Sequence, residues 1–217
     1  MDYLIQVRDL ELDYHWGDHH KSIFQAFNCN IPPGAFVSIT GANGSGKSSL
    51  LKLIMGLIEP NSGAIIVGER QVRFGYVDGV KDGQIAYLAQ QMDELFFGET
   101  VAQELSYQKE QLTSEDHQLL EQLNMEHLLP RRIDTLSGGE KQGIALVQFL
   151  ANSAPLLLLD EPSSYLDKQA AQVLRKALVR AHEQGRTIVH ATQFKREVAW
   201  GSHVLDLDSQ QPRVERL

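Results

Sequence analysis

The amino-acid sequence predicts an α/β fold with a mainly parallel central sheet. Three observations predict it: a Gly-rich loop at residues 41–48 between a strand and a helix, an all-aliphatic stretch at 156–159, and strands that alternate with helices. A strand that is apolar on both faces is typical of the centre of a parallel sheet covered by helices. The length of 217 residues allows one such domain with a subdomain.

The N-terminal part is predicted to begin with an antiparallel β subdomain, in which residues 3–7 have strand character and residues 10–14 alternate apolar with acidic side chains before a turn at residues 17–20. A helix is expected over 46–56, where Leu50, Leu51 and Ile54 share one face. The predicted strands of this part cover residues 3–7, 10–14, 23–31, 35–39, 64–67 and 84–89.

An inserted α-helical subdomain is predicted at residues 100–152. The apolar spacing indicates helix from Thr100 to about Leu136, with a break at Pro130, and a second helix follows Ser137. The rest of the chain, residues 1–99 and 153–217, is predicted to form a single core with the β subdomain. In the core, a strand, a helix and a strand are expected at residues 156–159, 169–184 and 187–192.

Charge and composition exclude several classes of protein. There are 28 acidic and 20 basic residues, a net charge of −8, which argues against a nucleic-acid partner. Cys29 is the only cysteine, so no intrachain disulfide forms. No apolar run approaches the roughly 20 residues that span a bilayer, and the first residues lack an apolar signal core. These features predict a soluble cytoplasmic protein.

Residues 41–48, with the sequence GANGSGKS, match the phosphate-loop pattern G-x-x-x-x-G-K-[ST] in full. Glycines let backbone N–H groups wrap a phosphate, and the following helix directs its positive end at the anion. Lys47 reaches the β- and γ-phosphates, and the Ser48 hydroxyl ligates Mg²⁺. The alternative is a Gly-rich turn that only caps the helix, but such a turn would not require a Lys-Ser pair at positions 47 and 48. The predicted nucleotide-binding residues of this segment are Gly41, Ala42, Asn43, Gly44, Ser45, Gly46, Lys47, Ser48 and Ser49.

Two carboxylates follow the aliphatic strand. Asp160, at its carboxyl end, is predicted to hold Mg²⁺ through water opposite Ser48. Glu161 is the candidate general base that polarises the attacking water, a role worth roughly 10²–10⁴-fold in rate. The alternative is a strand end with an acidic turn before Pro162.

A third motif precedes the second helix of the insertion. Ser137 and Glu140 have the spacing of a capping box, and Gly138 and Gly139 between them form a second anion-binding helix start. Together with the phosphate loop, the chain then has two helix N-termini that bind anions, whereas one γ-phosphate needs only one. We therefore expect a head-to-tail dimer, in which this segment of one subunit closes over nucleotide bound by the other.

With these motifs in this order, the chain resembles the nucleotide-binding subunit of an ABC transporter over essentially its whole length. The resemblance implies a P-loop NTPase fold that binds ATP and Mg²⁺, and it identifies Ser137, Gly138 and Gly139 with the signature motif that acts in trans. It also implies that residues 164–167 form the dimer-contact loop. The ATP site then needs a second ATP-binding domain, in a homodimer or a heterodimer.

The resemblance assigns further roles by position. Tyr14 is similar to the aromatic residue that stacks on adenine, with Trp16 as the less well placed candidate and a packed strand aromatic as the alternative. Gln90 is similar to the glutamine that contacts Mg²⁺ and water and senses the membrane partner. Gln91 takes that place if the register shifts, and the alternative is a surface residue at a strand end.

The sequence departs from the family at a switch position. A histidine is usual where this chain has Gln193, and His190, three residues earlier, is expected to be a packed strand residue instead. A glutamine donates a hydrogen bond but carries no positive charge. We expect Gln193 to contact the γ-phosphate and hydrolysis to be slow. Gly143 and Gln148 also replace arginines usual in the helix after the signature.

Residues 93–101 are similar to the matching segment of energy-coupling-factor and cobalt-type importer ATPases, and residues 131–135 lack a motif usual in exporters. The resemblance thus implies import through integral membrane subunits, with the chain cytoplasmic and peripheral on the inner face of the membrane. The alternative function is a nucleotide-gated binding module with weak hydrolysis and no transport role.

Overall fold

The computed structural model describes residues 3–75, 83–89, 96–107, 109, 111–164 and 166–217. The strands in this part of the chain are β1 Ile5–Trp16, β2 His19–Ile31, β3 Phe36–Thr40, β4 Ser62–Val67, β5 Arg70–Gln71, β6 Ile85–Leu88, β7 Leu156–Asp160, β8 Thr187–Ala191, β9 His203–Asp206 and β10 Val214–Arg216. The helices are α1 Lys47–Ile54, α2 Val101–Leu105, α3 Ser114–Gln122, α4 Gly138–Leu150, α5 Lys168–Glu183 and α6 Lys195–Val198.

The strands form two sheets. An antiparallel sheet has the order β2-β1-β4-β5, and a six-stranded sheet has the order β10-β9-β3-β8-β7-β6. In the second sheet β3 is parallel to both β9 and β8, and β8 is parallel to β7, whereas β10 is antiparallel to β9. The predicted α/β class, with an antiparallel N-terminal sheet and a mainly parallel central sheet, is confirmed.

The chain divides into two compact units. The first contains residues 1–87, 154–161 and 181–217, and the second contains 88–153 and 162–180. Both sheets lie in the first unit, apart from the last residue of β6, while α2, α3 and α4 lie in the second. The sequence-based division into a core and a helical subdomain at 100–152 has different boundaries and stays a prediction.

The core of the first unit explains why the central strands are so apolar. Every residue of β7 and β8 is buried, and so are four of the five residues of β3. Strands enclosed on both faces have no solvent-facing side, so apolar side chains predominate in them. In α1, Leu50, Leu51 and Leu53 are buried by the same core.

The second unit corrects one expectation. The predicted helical stretch from Thr100 to Leu136 is interrupted, because α2 ends at Leu105 and α3 begins only at Ser114. Thr113 starts α3 with a capping box, in which its hydroxyl accepts the N–H of Asp116 and its own N–H donates to the Asp116 carboxylate. After α3, two short 3₁₀ turns at 126–128 and 133–135 lead to α4.

The described helices are short. The longest, α5, has 16 residues, whereas a membrane-spanning helix needs about 20 apolar ones. Among the residues that the structure describes, none of the helices combines the length and apolar character needed to cross a membrane.

Candidate nucleotide-binding site

The Gly-rich loop connects β3 to α1 within the first unit, as the sequence predicts. Gly46 precedes α1 with φ 103°, a left-handed conformation that side chains disfavour. A Cβ on Gly46 would lie 2.6 Å from the Ile23 Cγ2 atom and 2.8 Å from the Phe24 Cζ atom. The loop therefore approaches β2 so closely that only glycine fits at this position.

Lys47 folds back under the loop. Its ammonium group donates to the carbonyl oxygens of Gly41 at 2.8 Å and Ala42 at 3.0 Å, and the residue is 5% exposed. The loop is thus curved around a positive charge, the arrangement that favours an anion.

Two side chains that the sequence did not indicate form hydrogen bonds with the backbone of the loop. The Asp208 carboxylate accepts the Ala42 N–H at 2.7 Å, and the Lys21 ammonium donates to the Gly44 carbonyl at 2.9 Å. Neither belongs to a motif, and their distance from the loop along the chain left no signal that could have identified them.

Ser48 and Asp160 meet at the carboxyl ends of the central strands. The Ser48 hydroxyl donates to Asp160 Oδ1 at 2.9 Å, and Asp160 is 3% exposed. Burial raises the pKa of the Asp160 carboxyl, and the adjacent Glu161 adds to the rise, whereas the Ser48 hydrogen bond opposes it. Two neighbouring hard oxygen donors, one of them a buried carboxylate, fit the ligand preference of Mg²⁺.

Glu161 has an unusual backbone and a defined partner. Its φ is 46°, a value that is uncommon for residues other than glycine and that concentrates at functional sites. Its N–H donates to the Ala191 carbonyl at 2.9 Å, and the Gln193 side-chain amide donates to Glu161 Oε2, also at 2.9 Å. The structure thus brings together Glu161 and Gln193, the two predicted catalytic residues that it describes.

His190 lies in β8 with its side chain fully buried. Its ring stacks on that of Trp200, with centroids 5.5 Å apart, and its Nε2 atom is 3.4 Å from the Glu197 carboxylate. The expectation that His190 is a packed strand residue is confirmed.

Tyr14 lies on β1, and its hydroxyl is 3.2 Å from the Ser49 hydroxyl in the first helical turn after the loop. It is 38% exposed, so an aromatic surface stands beside the loop. Trp16 is 52% exposed and contacts the His19 ring instead. Tyr14 therefore lies next to the phosphate loop, whereas the contact of Trp16 is to the hairpin turn, and the role of Tyr14 toward adenine stays a prediction.

Several predicted positions lie outside the described residues. Gln90 and its alternative Gln91 are among them, as are Tyr165 of the predicted dimer-contact loop and residues 93–95 of the importer-like segment. Their proposed roles stay predictions.

The signature-like segment starts α4 in the second unit. Ser137 and Glu140 form the predicted capping box: the Ser137 N–H donates to Glu140 Oε2 at 2.7 Å, and the Glu140 N–H donates to the Ser137 hydroxyl at 3.3 Å. The Ser137 N–H and the Ser137 hydroxyl both donate to the Glu140 carboxylate and lower its pKa, with a smaller contribution from Arg131. A Cβ on Gly138 or Gly139 would meet no described atom within 4 Å, so this helix start is open to a ligand.

Residues 24–164 match the model of the ABC transporter family. The chain is 33% identical over 177 residues to ABC transporter F family member 5 of Arabidopsis thaliana, covering 81% of this chain but only 24% of that protein. It is 31% identical over 187 residues to the energy-coupling factor transporter ATP-binding protein EcfA1 of Leuconostoc mesenteroides, covering 83% and 67%. A solved dimeric structure of the ATP-binding cassette MJ0796 bound to ADP and Pi has a TM-score of 0.81 at 25% identity, covering 98% of both chains.

Proposed function

Since this chain belongs to the ABC transporter family, we propose that it is a subunit that binds and hydrolyses ATP, dimerises around two ATP molecules and powers transport through separate membrane subunits. The observation that supports this most directly is the 2.9 Å hydrogen bond between Ser48 and Asp160, because it joins the phosphate loop to the acidic end of a buried strand. A helix-capping turn has no need of such a partner.

In this proposal the loop residues 41–49 bind the phosphates of ATP. Lys47 releases its carbonyl contacts and turns its ammonium group to the β- and γ-phosphates, while the N–H groups at the start of α1 bind phosphate oxygens. Tyr14 presents its exposed ring to adenine, where base stacking on an aromatic side chain is worth about 1–3 kcal/mol.

Ser48, Asp160 and Gln90 are the proposed Mg²⁺ ligands, with Asp160 acting through water. When bound, the ion neutralises charge on the phosphates. It also relieves the cost of the buried Asp160 carboxylate, because the carboxylate gains a cationic neighbour.

Glu161 is the proposed general base, which orients the attacking water and accepts its proton. Gln193 donates an amide hydrogen bond to the Glu161 carboxylate, and its proposed second role is a contact to the γ-phosphate. Because an amide cannot carry a positive charge, the proposed hydrolysis is slow for this family.

The second half of each ATP site comes from another ATP-binding domain, either a copy of this chain or a related subunit. Ser137, Gly138 and Gly139 of one domain cover the γ-phosphate bound by the other, because the open start of α4 offers N–H groups and a hydroxyl. The solved neighbour that is described as dimeric supports this arrangement.

Import is the proposed direction, supported by the likeness of residues 93–101 and by the energy-coupling factor relative. The chain then works at the inner face of the membrane, attached to integral membrane subunits. A nucleotide-gated module with weak hydrolysis and no transport role is the second candidate, and the uncharged Gln193 at the position where the family usually has a histidine favours it.

The test combines hydrolysis with partner capture. We expect Glu161→Gln to keep ATP binding, to lose hydrolysis by on the order of 10²-fold or more, and to accumulate an ATP-bound dimer on size-exclusion chromatography. Glu121→Gln, an exposed position on α3, is the matched control. Hydrolysis that a co-purified membrane protein stimulates supports the transport motor, whereas dimerisation without such stimulation supports the module. If Glu161→Gln still hydrolyses ATP and its dimer still dissociates, both candidate functions are contradicted.

A further inference from the structure

The tip of the β1–β2 hairpin carries three metal-ligating side chains that the proposed ATP site does not use. Asp13 and His15 are two residues apart on β1 and share one face, because side chains alternate along a strand. The register pairs His15 directly with His20 of β2. Gly17, at φ 59°, makes the tight turn that brings the two strands together.

The three side chains converge. One ligand atom from each of Asp13, His15 and His20 lies within 4.8 Å of the others, and the two imidazole centroids are 4.8 Å apart. His20 Nε2 is 3.5 Å from Asp13 Oδ1. Two ligands bound tetrahedrally at the usual zinc distances of about 2.0–2.1 Å are roughly 3.4 Å apart. This pair is therefore already spaced for a shared tetrahedral ion.

An ion pair between Asp13 and a protonated His20 accounts for only two of these side chains. It leaves His15 with no role beyond its cross-strand ring contact with His20. A divalent cation uses all three, because neutral imidazole nitrogen and carboxylate oxygen are both good ligands of late first-row transition metals.

We propose that Asp13, His15 and His20 form a binding site for a divalent transition-metal cation of the zinc type, with a fourth position open to water. Asp13 and His20 are 30% and 53% exposed as side chains, so the ion reaches the site from solvent. The site differs from the Mg²⁺ site in ligand chemistry, since two of its three ligands are imidazoles and Mg²⁺ prefers oxygen.

The location gives the metal a structural effect. On the opposite face of the same hairpin, Tyr14 contacts Ser49 and Lys21 donates to the Gly44 carbonyl of the phosphate loop. A cation held by β1 and β2 together cross-links the strands that carry these two contacts. The inference concerns the metal site itself and stands whether or not the chain drives transport.

The test uses the full chain without a histidine tag, stripped of metal by a chelator and free of nucleotide. Co²⁺ is titrated first, since a tetrahedral site gives visible d–d absorption, and Zn²⁺ is then added to displace it. Removing a side chain that only hydrogen-bonds to a metal ligand typically costs about 10–100-fold in metal affinity. Removing a ligand itself should cost at least as much, so we expect His15→Ala and His20→Ala each to lower the affinity at least tenfold. His19→Ala is the matched control, because His19 pairs with Trp16 on the other face, and its affinity should stay within about twofold.

One site per chain, lost in both ligand variants and kept in the control, supports the proposal. Absence of Co²⁺ absorption and of Zn²⁺ binding in the unaltered chain overturns it. So does an equal loss in His19→Ala and His20→Ala, because the ligands would then lie elsewhere. Melting temperatures confirm that each variant is folded, which is expected since these histidines are exposed.

Discussion

The phosphate loop and the signature-like segment are both starts of helices suited to anions, but they are held in different ways. Around the loop, contacts join distant parts of the chain: Ser48 and Asp160 are 112 residues apart, and Glu161 and Gln193 are 32 apart. Around the signature-like segment, Ser137 bonds to Glu140 only three residues away.

This difference teaches that the two half-sites have different origins. The loop side is assembled by the tertiary fold, so its geometry depends on the central sheet. The signature side is made by one helix start, and its capping box forms from local sequence alone. On the loop side, Asp160→Asn should lower hydrolysis but raise stability, whereas on the signature side Ser137→Ala should lower both.

The largest expected effect is that of Asp160→Asn. We expect hydrolysis to fall on the order of 10²–10³-fold, because the variant lacks the carboxylate proposed to hold the Mg²⁺ that neutralises charge on the phosphates. The nucleotide-free variant should be more stable, because burial raises the pKa of Asp160 and its ionised form is costly. Stability from a raised carboxyl pKa is present at low pH and is lost as the pH rises through that value. Asp160→Asn has no carboxyl to ionise at this position, so its stability should not show this decrease as the pH rises.

Thermal melting with and without Mg²⁺ and ATP, together with a hydrolysis assay, measures both effects. A gain of about 1 kcal/mol corresponds to roughly 2–4 °C at this chain length. Asp18→Asn, at the exposed hairpin turn, is the control for a simple change of net charge. A lower melting temperature for nucleotide-free Asp160→Asn would contradict the comparison.

The next effect concerns Ser137. Ser137→Ala removes the cap of α4, which costs about 0.5–2 kcal/mol, and also the hydroxyl proposed to contact the γ-phosphate. We expect both stability and hydrolysis to fall, the latter roughly 10–100-fold, as for a hydrogen bond to a charged group. Melting curves and steady-state hydrolysis by the dimer provide the measurement.

Glu140→Gln separates the two roles, because it keeps a capping side chain and leaves the Ser137 hydroxyl in place. Hydrolysis should change little. The lowered pKa of Glu140 means that its stabilising contribution is present at neutral pH and is lost as the pH falls through that value. The variant should therefore lose less stability on acidification, and an unchanged acid profile would argue against the capping box.

Gln193→His is expected to raise turnover by about tenfold, a part of the 10²–10⁴-fold range of acid–base groups, because histidine carries charge where the amide does not. Gln193→Ala, which removes the hydrogen bond to Glu161, should lower turnover. Single-turnover hydrolysis at saturating ATP measures both. Slower hydrolysis by Gln193→His would show that the glutamine is not what limits the rate.

The smallest effect is expected for Tyr14→Phe. It removes one exposed hydrogen bond to Ser49, so ATP affinity should fall only about twofold, whereas Tyr14→Ala removes the stacking surface and should cost roughly tenfold. Equilibrium binding of a fluorescent ATP analogue measures both. Trp16→Ala tests the alternative, and a larger loss there than in Tyr14→Ala would reassign the adenine contact.

The sequence predicted those parts of the site that are formed by residues close together along the chain. The phosphate loop, the buried strand before Asp160 and the capping box of Ser137 all follow from neighbouring residues. The Asp208 and Lys21 contacts did not, because they arise from how distant strands meet. The break between α2 and α3 was missed since the apolar spacing continues across it, and the capping box of Thr113 decides where the new helix begins.

Glu161 and Gln193 follow two neighbouring parallel strands whose last residues, Asp160 and Ala191, are paired. Their separation is therefore set by the spacing between strands, about 4.8 Å, rather than by loops. The entropy lost in ordering these side chains is lost once, when the sheet forms, and not again in each turnover. The base of the proposed reaction is thus preorganised before any nucleotide arrives.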